Sequence, residues 1–314
     1  MIAAPFFFLI DFEQQKPLIL PLEQAAKCGV FFHILGQTNL KVPDNMTLPE
    51  FQLNKTPYDP VQYQYSFERV QQELQKGNTY LLNLTAPTAI DCNYSLEQLF
   101  HSTQAPYKLW LQNEFVCFSP ECFIKMQGNT VYAYPMKGTI DATLPNAAQQ
   151  LINSSKELWE HHTIVDLMRN DLALIAENIQ VTRFRYLERI ETERGAILQT
   201  SSEICGTLPD NWRQNPLELL QKMLPAGSIS GAPKLRTINI IQTVEPQMRG
   251  YYTGVFGLFD GENLYSAVAI RYIEQTPNGL QFRSGGGITA QSQCADEYQE
   301  LQQKVYVPLT QRTA

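Results

Sequence analysis

The 314-residue chain has no surplus of positive charge: 24 Lys and Arg stand against 31 Asp and Glu, a formal charge of −7. A protein that binds nucleic acid through its overall charge needs a basic face to neutralise phosphates, so that class is excluded. No stretch reaches the roughly 18 apolar residues that a membrane helix needs, so no membrane partner is expected. The six cysteines, at 28, 92, 117, 122, 205 and 294, are scattered and form no Cys-x-x-Cys pair. That argues against a disulfide framework or a structural zinc site and for reduced thiols in a cytoplasmic protein. The histidines at 33, 101, 161 and 162 have no metal-site spacing. There is no dinucleotide fingerprint, and no cysteine is matched by a His and an acid that would make a glutaminase triad. Gly227-Ser-Ile-Ser-Gly-Ala-Pro-Lys234 is not a phosphate loop, because Pro233 precedes its lysine and Leu235 follows it.

What is present is a chain 44% hydrophobic and 18% charged, the composition of a folded protein. Its length suffices to bury roughly three quarters of the unfolded surface. Phe6 to Ile10 follow no basic region and meet Asp11 directly, which reads as a buried first strand rather than a signal peptide. Prolines at 43, 49, 57 and 60 make 42–60 an irregular connection. Helical spacing marks Tyr65 to Lys76, and a buried strand is expected over Thr79 to Thr85. Strands follow at Tyr107 to Leu111, Glu114 to Phe118, Phe123 to Met126 and Thr130 to Tyr134. A long helix begins near Ser154 or Ser155, with Leu158, Val165, Leu172 and Ile175 at the helical period. Further helices are expected between Trp212 and Leu224, over Lys234 to Thr243, and from Ala295 to Val307. Between them, Tyr252 to Phe259, Leu264 to Ile273 and Leu280 to Ser284 read as a three-stranded meander.

Several of these segments carry groups suited to chemistry. Glu157 and Glu160 lie three apart on one helix, and Glu297 and Glu300 lie three apart on the last. That spacing puts both carboxylates of a pair on one face. Each pair alone is most simply a solvated face. Facing each other they would call for a hard divalent cation such as Mg²⁺. Lys304 would share the face of Glu297 and could pair with a carboxylate. Lys137 follows an apolar strand and precedes Gly138, which lets another group come close. It either snorkels to water or is held desolvated, and desolvation would lower its pKa and expose a nucleophilic amine. Glu121 ends a neighbouring strand, as a turn carboxylate or a general acid. The segments 227–234 and 284–287 offer accessible N–H groups suited to anions. With Arg271 they suit a small polyanionic metabolite. His161 and His162 read as packing residues.

Taken together the segments resemble the chorismate-utilising enzyme family. The resemblance runs from about Gly77 to Val307. It rests on Gly77-Asn-Thr-Tyr-Leu-Leu-Asn-Leu-Thr85, Ser119-Pro-Glu121, Pro135-Met-Lys-Gly-Thr139, Glu160 with Val165-Asp-Leu-Met-Arg-Asn-Asp171, Pro225 through Lys234, Ser284-Gly-Gly-Gly-Ile288 and Glu297-Tyr-Gln-Glu300. It implies an α+β fold of large antiparallel sheets flanked by helices, with residues 1–75 a shortened N-terminal part and 76–314 the chorismate-binding region of one compact domain. It also implies metal carboxylates at Glu160 and Glu297, supported by Glu157 and Glu300, and a general acid at Glu121. Substrate contacts are implied at Ser230, Tyr252, Arg271, Gly285, Gly286, Gly287 and Lys304. A lysine at 137 resembles the branch that aminates chorismate to 4-amino-4-deoxychorismate, for para-aminobenzoate and folate, through attack of the amine on C2. An alanine there would resemble the anthranilate-forming branch. Leu81 stands where water-using members carry a lysine, which disfavours that branch. Gln199 falls at the family's histidine position, so no leaving-group role is carried over. Ammonia would come from a separate glutamine amidotransferase subunit. The alternatives are anthranilate synthesis and a non-catalytic chorismate-binding subunit.

Overall fold

The computed structural model describes residues 2–40, 48–192 and 195–309. Two nine-stranded antiparallel sheets organise the chain. In the first, Phe6–Ile10 lies between Leu18–Pro21 and Val255–Phe259, which pairs in turn with Leu264–Val268 and then Cys122–Gln127. Thr130–Ala133 and Met136–Asp141 continue the sheet along the strand Gly195–Thr207. In the second, Leu81–Cys92, Gly279–Ile288, Tyr272–Thr276, Phe115–Ser119, Tyr107–Leu111 and Val30–Ile34 follow one another.

The sheets face each other across a core in which Phe7 and Leu9 of one meet Phe32 and Leu109 of the other. The Phe7 and Phe32 rings stack with centroids 5.5 Å apart. Strands covered on both faces lose the polar alternation of half-exposed ones, which is why Phe6–Ile10 reads as an unbroken apolar run. On the other face of the first sheet, Phe8, Ile10 and Met126 share a second core with residues of the helices Pro60–Gln75, Ser155–Leu172 and Lys234–Val244. The fold is therefore α+β, as the sequence implies.

The expected meander is corrected. Leu264 to Ile273 is not one strand: Leu264–Val268 belongs to the first sheet and Tyr272–Thr276 to the second. The chain crosses at 269–271, with Arg271 in the left-handed region at φ 52°. Most of Leu264–Val268 and the first two residues of the next strand, Tyr272 and Ile273, are buried and apolar, so the hydrophobic pattern resumes directly past Arg271. The first long helix starts at Pro60, five residues earlier than its spacing shows, because Asp59 caps it by accepting from the Val61 N–H at 2.8 Å. Of the irregular connection, 42–47 lies outside the described residues, and the rest includes a strand, Leu53–Thr56. The expected strand at Thr79 extends as Leu81–Cys92, and the last helix is shorter, Cys294–Gln303. The helix Ser155–Leu172 is capped by Ser154 as expected, but Leu158 faces solvent and Ile175 lies beyond its end. The long hairpin of Glu177–Thr192 and Gly195–Thr207 has no counterpart among the expected elements.

Candidate active site

A cavity of about 190 Å³ opens where the sheets exchange strands. Met136 and Lys137 of the first sheet line it, with Leu81, Asn83, Gly285 and Gly287 of the second. The strand carrying Lys137 has a register irregularity between Met136 and Thr139, the device that re-aims a side chain out of a ladder. Gly138 sits in it at φ 89°, and a Cβ there would lie 2.7 Å from Glu157 Oε2. The group for which this glycine makes room is thus the Glu157 carboxylate.

Lys137 Nζ lies 3.0 Å from Glu160 Oε2. The expected depressed amine is corrected here. Burial does pull the lysine down, but Glu160 opposes it by charge and hydrogen bond, with Glu300 and Glu157 adding to it, and the amine ends above the ordinary lysine value. The carboxylates respond in kind. Burial and the neighbouring Glu160 push Glu157 up; burial, against a Ser292 hydrogen bond and with Glu300 nearby, pushes Glu297 up. Burial would raise Glu300 too, but Lys304, 2.7 Å away, holds it below the ordinary range. Glu160 and Glu297 also line an adjoining cleft of about 330 Å³. The second helix pair packs against the glycine strand: a Cβ on Gly286 would lie 3.4 Å from Glu297 Oε2 and 3.5 Å from Glu300 Oε1. Among the described residues no three acids, histidines or cysteines already converge at ligating distance. The four carboxylates are hard oxygen donors, the type a divalent cation takes, and closing on one would require them to move together.

At the other end of the cavity, burial pushes the Glu121 carboxyl up, although a Ser228 hydrogen bond, Arg271 and Lys304 pull the other way. Ser228 Oγ donates to Glu121 Oε1 at 2.6 Å. Arg271 lies over the Tyr306 ring, and its buried Nε has no hydrogen-bond partner among the described residues. An anion in the cavity would supply one. Lys304 Nζ donates to the Gly285 carbonyl at 2.8 Å.

Of the sequence-derived residues, Lys137, Glu121, Glu160, Ser230, Tyr252, Arg271, Gly285, Gly287 and Lys304 line the cavity. Gly286, Glu157, Glu297 and Glu300 stand behind it. Ser230 Oγ is turned away, donating to the Ala226 carbonyl at 2.9 Å. Sequence reasoning passed over Ser228, Asn83, Trp159 and Arg283. Ser228 was within reach, since it lies in the same small-residue turn as Ser230. His161 is fully buried, shares a 2.7 Å hydrogen bond with Ser202, and is pulled by burial down to about 4. It packs as a neutral ring.

A profile described as chorismate binding enzyme matches residues 21–310, and the chain belongs to that family. It is 62% identical over 305 residues to an uncharacterised PabA-like protein of Pasteurella multocida, covering 97% of this chain and 94% of that one. It is 34% identical over 260 residues to aminodeoxychorismate synthase component 1 of Salmonella typhimurium, covering 78% of this chain and 56% of that synthase, and so spans little more than half its length. The menaquinone-specific isochorismate synthase MenF of Escherichia coli shares the fold, with a TM-score of 0.72 at 15% identity over 96% of this chain and 77% of the other. Among the described residues no helix is long and apolar enough to cross a membrane.

Proposed function

We propose that this chain is a chorismate-aminating enzyme of the aminodeoxychorismate synthase component 1 kind, converting chorismate and ammonia into 4-amino-4-deoxychorismate and water. The observation that carries the reading is the placement of Lys137 and Glu121 on one cavity, the lysine beside four carboxylates and the glutamic acid away from them.

In this reading Arg271, Lys304 and the N–H groups of the glycine strand hold the substrate's carboxylates. Glu157, Glu160, Glu297 and Glu300 would hold Mg²⁺, which when bound supplies positive charge for a substrate carboxylate and for the developing charge of the reaction. Lys137, freed from Glu160 and neutral, attacks C2. The ring double bonds shift, the C4–O bond breaks, and Glu121 gives its proton so that the hydroxyl leaves as water. Ammonia then forms the bond at C4, the double bonds shift back, and the C2–N bond to Lys137 breaks. The proton lost by the incoming nitrogen returns to Glu121. Burial raises the Glu121 carboxyl at one end of the cavity while Lys137 sits against Glu160 at the other, so acid and base roles are set apart within one cavity.

Ammonia in this scheme comes from a separate glutamine amidotransferase. Burial is the main cause that pushes Cys92, Cys117, Cys122 and Cys294 up, away from thiolate character. The test is product analysis by mass after incubation with chorismate, Mg²⁺ and ammonium, with a chelator arm and a glutamine arm. 4-Amino-4-deoxychorismate is expected from ammonium alone and not from glutamine. Anthranilate as product, or turnover that survives thorough chelation, would overturn the corresponding part of the reading.

A further inference from the structure

The Lys137 ammonium, its side chain 35% exposed, is a positive charge in contact with the carboxylates at the acidic end of the cavity. Its Nζ pairs with Glu160 at 3.0 Å, and it also acts electrostatically on Glu157, Glu297 and Glu300. The other cations nearby do not duplicate it. Lys156 approaches Glu160 only to 3.9 Å, with its side chain 73% exposed, and Lys304 is committed to Glu300 and the Gly285 carbonyl. The same carboxylate that pairs with the lysine belongs to the set that fits a divalent cation. Two positive groups cannot both lie in contact with the same Glu160 carboxylate without repelling each other.

We infer that Lys137 and a divalent cation exclude one another at Glu160, so that the lysine holds the empty site together and cation entry turns its amine loose into the cavity. The inference deepens the proposed function and rests on its reading of the acidic end as a cation site. Two consequences follow from linkage. The lysine weakens cation binding, and the cation weakens the Lys137–Glu160 pair by the same factor. Cation loading must also precede the covalent step, because the paired lysine is not available to C2.

The test uses Mn²⁺ as probe, titrated into chorismate-free protein and followed by the electron paramagnetic resonance of the free ion. Lys137→Met, which keeps the length of the side chain and removes the charge, should bind Mn²⁺ roughly 5- to 150-fold more tightly than the wild type, the usual range of coupling between two sites. Lys137→Arg should stay near the wild type. The gain should vanish in Lys137→Met/Glu160→Gln. Thermal denaturation gives a second readout: metal-free Lys137→Met should melt below the wild type, and Mn²⁺ should raise its Tm by more. Equal or weaker Mn²⁺ affinity in Lys137→Met, or a gain that survives loss of Glu160, would overturn the inference while leaving the cation site standing. No Mn²⁺ binding by any of the proteins would overturn the cation reading and the inference with it. An unexpected product in the chorismate assay would overturn the proposed reaction without touching the affinity order.

Discussion

The two ends of the cavity set different neighbours against burial. At the Lys137 end, carboxylates stand close to an ammonium and to one another, and the cation is held charged against its burial. At the Glu121 end, a single carboxyl has a serine hydroxyl as its side-chain hydrogen-bond partner among the described residues, and burial pushes it up against the pull of Arg271 and Lys304. Burial is the same force in both places. What differs between these two groups is that Glu160 touches Lys137, whereas Arg271 and Lys304 act on Glu121 without a hydrogen bond to it. One cavity can thereby favour an ammonium at one end and the protonated form of a carboxyl at the other.

The comparison breaks most visibly if the lysine is removed. Lys137→Ala should take amination at C4 to background and abolish any chorismate adduct, checked by intact-protein mass spectrometry during turnover. By opening C2 to ammonia, it should also divert residual product toward 2-amination. Glu121→Gln comes next, with kcat reduced by roughly 10²- to 10⁴-fold, the usual range for a general acid. The sign of its pH effect is fixed by the raised carboxyl. The acid works protonated, so wild-type activity holds below its folded pKa and falls as pH rises through it. A pH–rate profile of Glu121→Gln should lack that alkaline limb.

Ser228→Ala sharpens the contrast rather than breaking it. The serine favours the charged form of Glu121. Its hydrogen bond to a charged acceptor contributes about 1.5–3 kcal/mol, so removal should move the alkaline limb upward by roughly one unit or more. A limb that stays put would show that Ser228 does not set the protonation of Glu121. The smallest effect is expected from Glu157→Gln. A carboxyl with a raised folded pKa lowers stability above its unfolded pKa, so this variant should melt higher than the wild type at pH 8 and alike at pH 4, in metal-free buffer. Differential scanning calorimetry at the two pH values checks it.

The carboxylate pairs, Lys137, Glu121 and the glycine strand were legible in the sequence because each stands at a recognisable spacing or element end. The protonation of Lys137 was not. It depends on Glu160, 23 positions further along, and no local pattern reports that the two meet. Ser230 shows the converse: its hydroxyl was visible as a candidate contact, yet backbone geometry turns it to the Ala226 carbonyl, while Ser228 two residues away faces Glu121. The strand crossing at Arg271 escaped because apolar residues stand on both sides of it, so that one arginine in the left-handed region, rather than a turn sequence, marks the exchange. The start of the helix at Ser155 was legible from its serines, while the start at Pro60 was obscured where prolines dominate the local signal, and the Ser95-capped helix Leu96–Ser102 was not expected.

The strand Phe6–Ile10 leaves the ribosome well before one of its two partners, Val255–Phe259. At about 5–20 residues per second, the nascent chain carries this apolar strand with one edge unpaired for roughly 12–50 s. During that interval Phe7, Phe8 and Leu9, all fully buried at the end, have no complete sheet to enter. Leu18–Pro21 can cover one edge at once, but the other stays open as a template for pairing with a neighbouring chain. Yield in cells should accordingly depend on chaperone capacity and translation speed more than on the stability of the finished fold. Slowing synthesis after residue 21 should lower the soluble fraction without changing the melting of the protein that is recovered.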